Sequence, residues 1–185
     1  YDYLKDSIVN EKFGFLGKAI AITKDDKYIY VQNNSISTNN ISIYDVEKGE
    51  VVDSISSGYG TAHSLALSPD NKYLAIGTGK LIRVNPYPDH PDYEEDRMYD
   101  KLVIIDLEKK EIIKEFDGYS GTEGEIRELK FSPDGKYLGV AKLDGNLYVY
   151  QMDNIELYRK FIICNYSDNP GPFTLSFSRD NKYIL

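Results

Sequence analysis

Phe131-Ser132-Pro133-Asp134-Gly135-Lys136-Tyr137-Leu138 is a stretch that the chain writes four times. The other copies are Thr23-Lys24-Asp25-Asp26-Lys27-Tyr28-Ile29, Leu67-Ser68-Pro69-Asp70-Asn71-Lys72-Tyr73-Leu74 and Phe177-Ser178-Arg179-Asp180-Asn181-Lys182-Tyr183-Ile184. Their aspartates, Asp25, Asp70, Asp134 and Asp180, are separated by 45, 64 and 46 residues. Apolar residues alternate into the turn and out of it. Within the turn Pro presets φ, Asp bonds its own downstream backbone, and Gly or Asn accepts φ > 0. Lys and Tyr then restart a strand, the Lys in solvent and the ring over the sheet. One such hairpin occurs in every all-β class. Four copies at a period near 45 residues point to a β-propeller with one blade per repeat.

A second signature marks the third strand of each unit: Ile41-Ser42-Ile43-Tyr44-Asp45, Leu102-Val103-Ile104-Ile105-Asp106 and Leu147-Tyr148-Val149-Tyr150-Gln151. Each β-branched and aromatic run ends in a polar residue and a charged turn, then enters a fourth strand. The expected fold is all-β, a propeller of four-stranded antiparallel blades, with three whole blades plus partial blades at both ends. Residues 1–17 end a preceding blade and 18–61 form a blade. Residues 62–124 form a blade with a long loop insertion at 84–100, 125–172 form another, and 173–185 open the next. Closure takes about four to eight blades, so the chain reads as part of a longer propeller. Two other routes are a four-bladed ring, with 173–185 pairing with the N-terminal strand, and two copies sharing one ring.

Composition narrows the function classes. The net charge of −8, from 22 basic and 30 acidic residues, argues against nucleic acid and anionic membranes as partners. No apolar run reaches the roughly 18 to 20 residues of a membrane span. Cys164 is the only cysteine, which excludes an internal disulfide and favours a cytoplasmic location. The sequons Asn33-Asn34-Ser35, Asn40-Ile41-Ser42 and Asn165-Tyr166-Ser167 keep an extracellular or cell-surface location as the alternative.

The run Leu129–Met152, hairpin, Asp-Gly turn and third strand, resembles the WD-repeat family. Ile20–Asn34 with Ile41–Val52 is similar to the YVTN-type propellers. Together the resemblances cover nearly the whole chain except residues 84–100. The chain has no Trp, so the Trp-Asp dipeptide of WD repeats appears as Tyr44-Asp45, Ile105-Asp106 and Tyr150-Gln151. The Gly-His dipeptide is absent too, and the hydrogen-bonded tetrad of that family cannot form in full. The resemblance is to a divergent WD-repeat-like propeller.

The 64-residue spacing conceals the one non-repeating element. Val84–Asp100 holds three prolines, three tyrosines and six carboxylates, a composition that opposes strand and favours an exposed loop. Long loops on rigid scaffolds carry recognition, and they also vary without consequence. Asp89, His90, Asp92, Glu94, Glu95 and Asp96 lack the glycine turn and alternating ligands of a calcium loop, so a solvated acidic run is the better reading than a metal site. His63 neighbours Ser64 and precedes Asp70, yet adjacent strand residues face opposite ways, which defeats a catalytic triad. His63 is expected in the ring core or its central channel. The glycine-rich stretches 56–60 and 118–124 lack the Lys-Ser/Thr of a phosphate loop and read as blade-to-blade turns.

No catalytic, cofactor or metal residues emerge. Propellers host enzymes as well as scaffolds. The reading favoured is a non-catalytic protein–protein interaction scaffold. The alternatives are a YVTN-type structural or surface propeller and the gating propeller of a larger hydrolase. In WD-repeat propellers the loops between second and third strands share one face with the blade-to-blade loops. The resemblance therefore implies that 84–100 stands beside 56–61 or 118–124. The expected partner-binding residues are Tyr87, Asp89, His90, Asp92, Tyr93, Glu94, Glu95, Asp96, Tyr99 and Glu123. Aromatic anchors among carboxylates suit a protein partner with a basic, partly apolar surface.

Overall fold

Each of the three repeats folds as four antiparallel strands that pair in chain order. The computed structural model describes residues 17–33, 40–85, 87, 89, 95–120, 125–163 and 174–185. The first blade holds β1 (Gly17–Ile22), β2 (Tyr28–Asn33), β3 (Asn40–Asp45) and β4 (Glu50–Ser56). The second holds β5 (Thr61–Leu67), β6 (Tyr73–Val84), β7 (Glu95–Asp106) and β8 (Glu111–Ser120). The third holds β9 (Ile126–Phe131), β10 (Tyr137–Lys142), β11 (Asn146–Gln151) and β12 (Glu156–Ile162). A further hairpin is tied by the Phe177↔Ile184 bridge. The proposed blade ends in 1–16 and 164–173 lie outside the described residues.

The first strands sit innermost: β5 touches β1 on one side and β9 on the other. The second sheet is therefore covered by a blade on each face, and β6 and β7 read as continuous apolar runs over Leu74–Ile76 and Leu102–Ile105 rather than strict alternation. Leu74, Ile76, Val103 and Ile105 face the first blade, where they meet Ile41, Ile43 and Ile55. Ala75, Leu102 and Ile104 face the third, where they meet Leu129, Phe131, Leu138, Val140 and Tyr148. Ala66, Ile76, Leu129, Phe131 and Val140 are buried, and Leu67 is only half-buried at the edge of its cluster. The outermost β12 is exposed along its whole length.

Two expectations are corrected by the ladder. The insertion is not a loop from 84 to 100. β6 and β7 pair without interruption from Tyr73↔Asp106 to Val84↔Glu95, so the insertion's flanks form a two-stranded ribbon that prolongs the blade. The stretch 118–124 is likewise strand in its first part, since Ser120 pairs with Tyr99. The prolines lie in 86–91, between the paired flanks, and leave the ladder intact on either side.

Candidate protein-interaction surface

The repeated turns place themselves through short local bonds. In the second blade the Ser68 hydroxyl donates to Asp70 Oδ1 at 2.6 Å and accepts the Tyr73 amide at 2.8 Å. Ser132 repeats this with Asp134 and Tyr137, and Ser178 with Asp180 and Tyr183. These turns occupy one face of the blade stack. A recess of about 490 Å³ lies there, lined by Asp70, Lys72, Asp134 and Lys136 among others.

The opposite ends of the strands carry the ribbon, and its root is held from both sides. Thr61 of β5 pairs with Gly79, and the Thr78 hydroxyl donates to the Gly60 carbonyl at 3.1 Å. On the other edge β8 follows β7 to Tyr99↔Ser120, with a register shift between Tyr99 and Lys101. The connection from the first blade thus reaches the ribbon's root, and residues 121–124, which follow β8, lie outside the described residues.

Sequence-derived candidates fall into three groups on this frame. Tyr87 is 55% exposed, its amide donating to Asn85 Oδ1 at 2.8 Å, and Asp89 is exposed. Glu95, Asp96 and Tyr99 lie on β7, opposite Val84, Arg83 and Lys80. His90, Asp92, Tyr93, Glu94 and Glu123 lie outside the described residues. Among the described residues no group of three or more His, Cys, Asp or Glu side chains could hold a metal ion, and no helix is long and apolar enough to cross a membrane.

Sequence reading missed the polar groups beneath the ribbon. Asp100, opposite the β-bulge, is 1% exposed, and neither of its oxygens meets a hydrogen-bond donor among the described residues. Burial, reinforced by the charge of Glu125, pushes its carboxyl up to about 6, against the pull of Lys142 and Arg127. Lys142, also buried, is held below its ordinary value by desolvation, and its ammonium sits 4.8 Å from the Tyr148 ring centroid. Beside Asp100, Lys101 donates to Glu115 at 2.9 Å and to the Tyr59 hydroxyl at 3.1 Å, and lies 3.1 Å from Asp117. The Glu115 carboxylate, then Tyr59 and Asp117, hold that ammonium well above the usual lysine range. This clasp ties the connection between the first two blades to the outer strands of the second. No local pattern announces it, because its partners stand 14 to 56 residues apart.

His63 lines a recess of about 240 Å³ with Glu125, Ile126 and Arg127. Its Nδ1 is 3.8 Å from Glu125 Oε1, and Arg127 Nη2 is 3.2 Å from Glu125 Oε2. The neighbouring Ser64 accepts the Leu129 amide at 3.0 Å, and Asp70 bonds Ser68 at the far end of β5. Those three residues do not converge.

The WD domain, G-beta repeat model matches residues 110–151, less than a quarter of the chain. That match runs from the turn before β8 through β11, so the sequence unit straddles a blade boundary. Among solved structures, the Cps50 (Swd1) β-propeller domain of Myceliophteria thermophila superposes with a TM-score of 0.60 over 91% of this chain at 11% identity. The WD40 repeats of RRP9 superpose with a TM-score of 0.57 over 79% at 17% identity. The chain folds as a WD-repeat-like β-propeller. Human WD repeat-containing protein 36 is 25% identical over 83 residues, 45% of this chain. The WD-repeat-like propeller seen here spans only part of these proteins: 8% of the human one, and 48% and 38% of the two solved chains.

Proposed function

We propose that this propeller segment is a non-catalytic protein-interaction scaffold whose contact surface is the β6–β7 ribbon and the connections at its root. The observation that carries the reading is the unbroken ladder from Tyr73↔Asp106 to Val84↔Glu95. The ribbon leads out of the blade stack to the stretch that holds exposed Tyr87 and Asp89. Exposed Tyr87 supplies area that can be desolvated at low side-chain entropy, and the carboxylates steer a basic, partly apolar partner. The matches to WD-repeat proteins support a scaffold role. The recess at the repeated turns, lined by Asp70, Lys72, Asp134 and Lys136 among others, is the competing location.

The test replaces Leu81–Met98 by Asn-Gly, which closes the hairpin just beyond Lys80↔Tyr99 with a two-residue turn. Thermal melting is expected to stay within a few degrees of the parent, and captured partners are lost. Reversing Glu94 and Glu95 to Lys is expected to slow association more than it speeds dissociation, and raised salt should mimic it. Partners retained by the shortened protein but lost on substituting Asp70 and Asp134 would move the site to the opposite face. Turnover by the segment itself would end the non-catalytic reading.

A further inference from the structure

The last strand of every sheet carries the same irregularity. β4, β8 and β12 end the strand order of their sheets, and among the described residues each has one edge with no strand beside it. Each shifts register against its neighbour at the equivalent place. Ile43 pairs with Asp53 but Tyr44 with Val51. Ile104 pairs with Lys114 but Ile105 with Ile112, and Val149 with Arg159 but Tyr150 with Leu157. One residue is left over in each strand, Val52, Ile113 or Tyr158, two positions after an opening glutamate. Pairing holds on both sides of it, from Asp106↔Glu111 before to Val103↔Glu115 after in the second blade. The feature is thus a β-bulge within each ladder and not a frayed end.

Every bulge falls on an apolar pair, Val51-Val52, Ile112-Ile113 or Leu157-Tyr158, whose members are 36% to 54% exposed. Such residues favour strand, and an exposed apolar edge strand is a template for pairing with another chain. An incoming strand needs donors and acceptors presented in regular step. A bulge breaks that step with an unpaired residue, bends the strand and raises its twist. We infer that the repeated bulge shields the outer strands from adding a strand of another molecule, so that the rim stays apolar without pairing edge to edge. The side chains at the bulge differ between blades while its position does not, so what repeats is the backbone geometry. A charged residue follows it each time, Asp53, Lys114 or Arg159, and charge is a second means of guarding an edge. Added twist also shapes a blade, and the experiment separates the two roles.

Deleting Ile113 joins Ile112 to Lys114 and leaves their partners Ile105 and Ile104 unchanged, which makes the β7–β8 ladder regular. The second blade lies between two others, so association through the ends of the stack leaves β8 untouched. The readout is amide hydrogen exchange over Glu111–Asp117 at low and high protein concentration. In the parent the rates are expected to be the same at both. In the deletion variant they should slow about tenfold or more at high concentration, as edges pair. Deletion of Val52 or of Tyr158 should act alike on β4 and β12. Any deletion variant that folds without this concentration-dependent protection overturns the inference. Failure of all three to fold also overturns it, because the bulge would then belong to the shape of the blade. The parent supplies a measurement that needs no variant. A capped peptide copying Glu111–Asp117 should leave exchange in β4, β8 and β12 unchanged, and new protection there would overturn the shielding role.

Discussion

At the residue scale, the turn that recurs four times is held by one left-handed residue in each copy. Asp26, Asn71, Gly135 and Asn181 have φ of 57°, 59°, 73° and 60°. Aspartate at Asp26 is the least suited of the four, and its side chain is exposed. Asp26→Gly is expected to stabilise by about 0.5 to 1 kcal/mol, and Gly135→Ala to destabilise by about 1 to 2 kcal/mol. Urea denaturation of both variants checks the pair, and equal effects of one sign would contradict the account. Asp100 offers a second residue-scale prediction. Its carboxyl is raised from 3.8 to about 6, so the folded state binds the proton more tightly than the unfolded state. The sign follows: its contribution to stability is fully present below about pH 4, declines as pH rises towards 6, and stays lost above. Asp100→Asn should therefore stabilise at pH 7.5, by up to about 3 kcal/mol, and make little difference at pH 4. Denaturation at both pH values checks it. A stability gap independent of pH would mean that the carboxylate is compensated in solution.

At the scale of elements, blades pack closely enough for small residues on one sheet to decide the distance. A Cβ on Gly77 of β6 would stand 2.7 Å from Ile126 Cγ2 and 2.9 Å from Ile126 Cβ. Ile126 opens β9 and is 1% exposed within the cluster joining the second and third blades. The contact involves the branched, buried base of that side chain, which has nowhere to swing. Gly77→Ala is expected to cost about 1 to 3 kcal/mol, and Gly77→Ala with Ile126→Val to recover part of that loss. A double-mutant cycle by thermal melting measures the coupling. Additive effects would show that the two sheets separate freely.

At the scale of the whole molecule, the blade stack has apolar residues at both ends. Ile20, Ile22, Val51 and Val52 are exposed on the first blade, as are Leu157, Tyr158, Phe161 and Ile162 on β12. The hairpin at 174–185 covers part of the third blade, where Leu175 and Phe177 pack on Ala141, Leu147 and Val149. Interior blades bury both faces, so these ends are surfaces suited to further blades, of the same polypeptide or of a second copy. Residues 1–185 alone are expected to self-associate in sedimentation velocity as concentration rises. Ile20→Lys together with Phe161→Lys should reduce that association. A segment that remains monomeric at high concentration would show that its ends are satisfied without neighbours.

What the sequence by itself determined is the part governed by neighbours in the chain. The Ser-Asp-Lys-Tyr bonding of each turn spans two to five residues, so Ser132, Asp134, Gly135 and Tyr137 announce it without reference to the rest of the molecule. Strand runs such as Leu102–Asp106 were legible for the same reason, and their repetition named the architecture. Only the tertiary structure decided the fate of 84–100. Its prolines and carboxylates favour loop, yet a ladder already registered at Tyr73↔Asp106 propagates through to Val84↔Glu95. The burial of Asp100 beside Glu125, Arg127 and Lys142, and the Tyr59–Lys101–Glu115 clasp, depend on residues from other strands and blades. Such contacts join positions tens of residues apart, and nothing in the local pattern encodes which of them will meet.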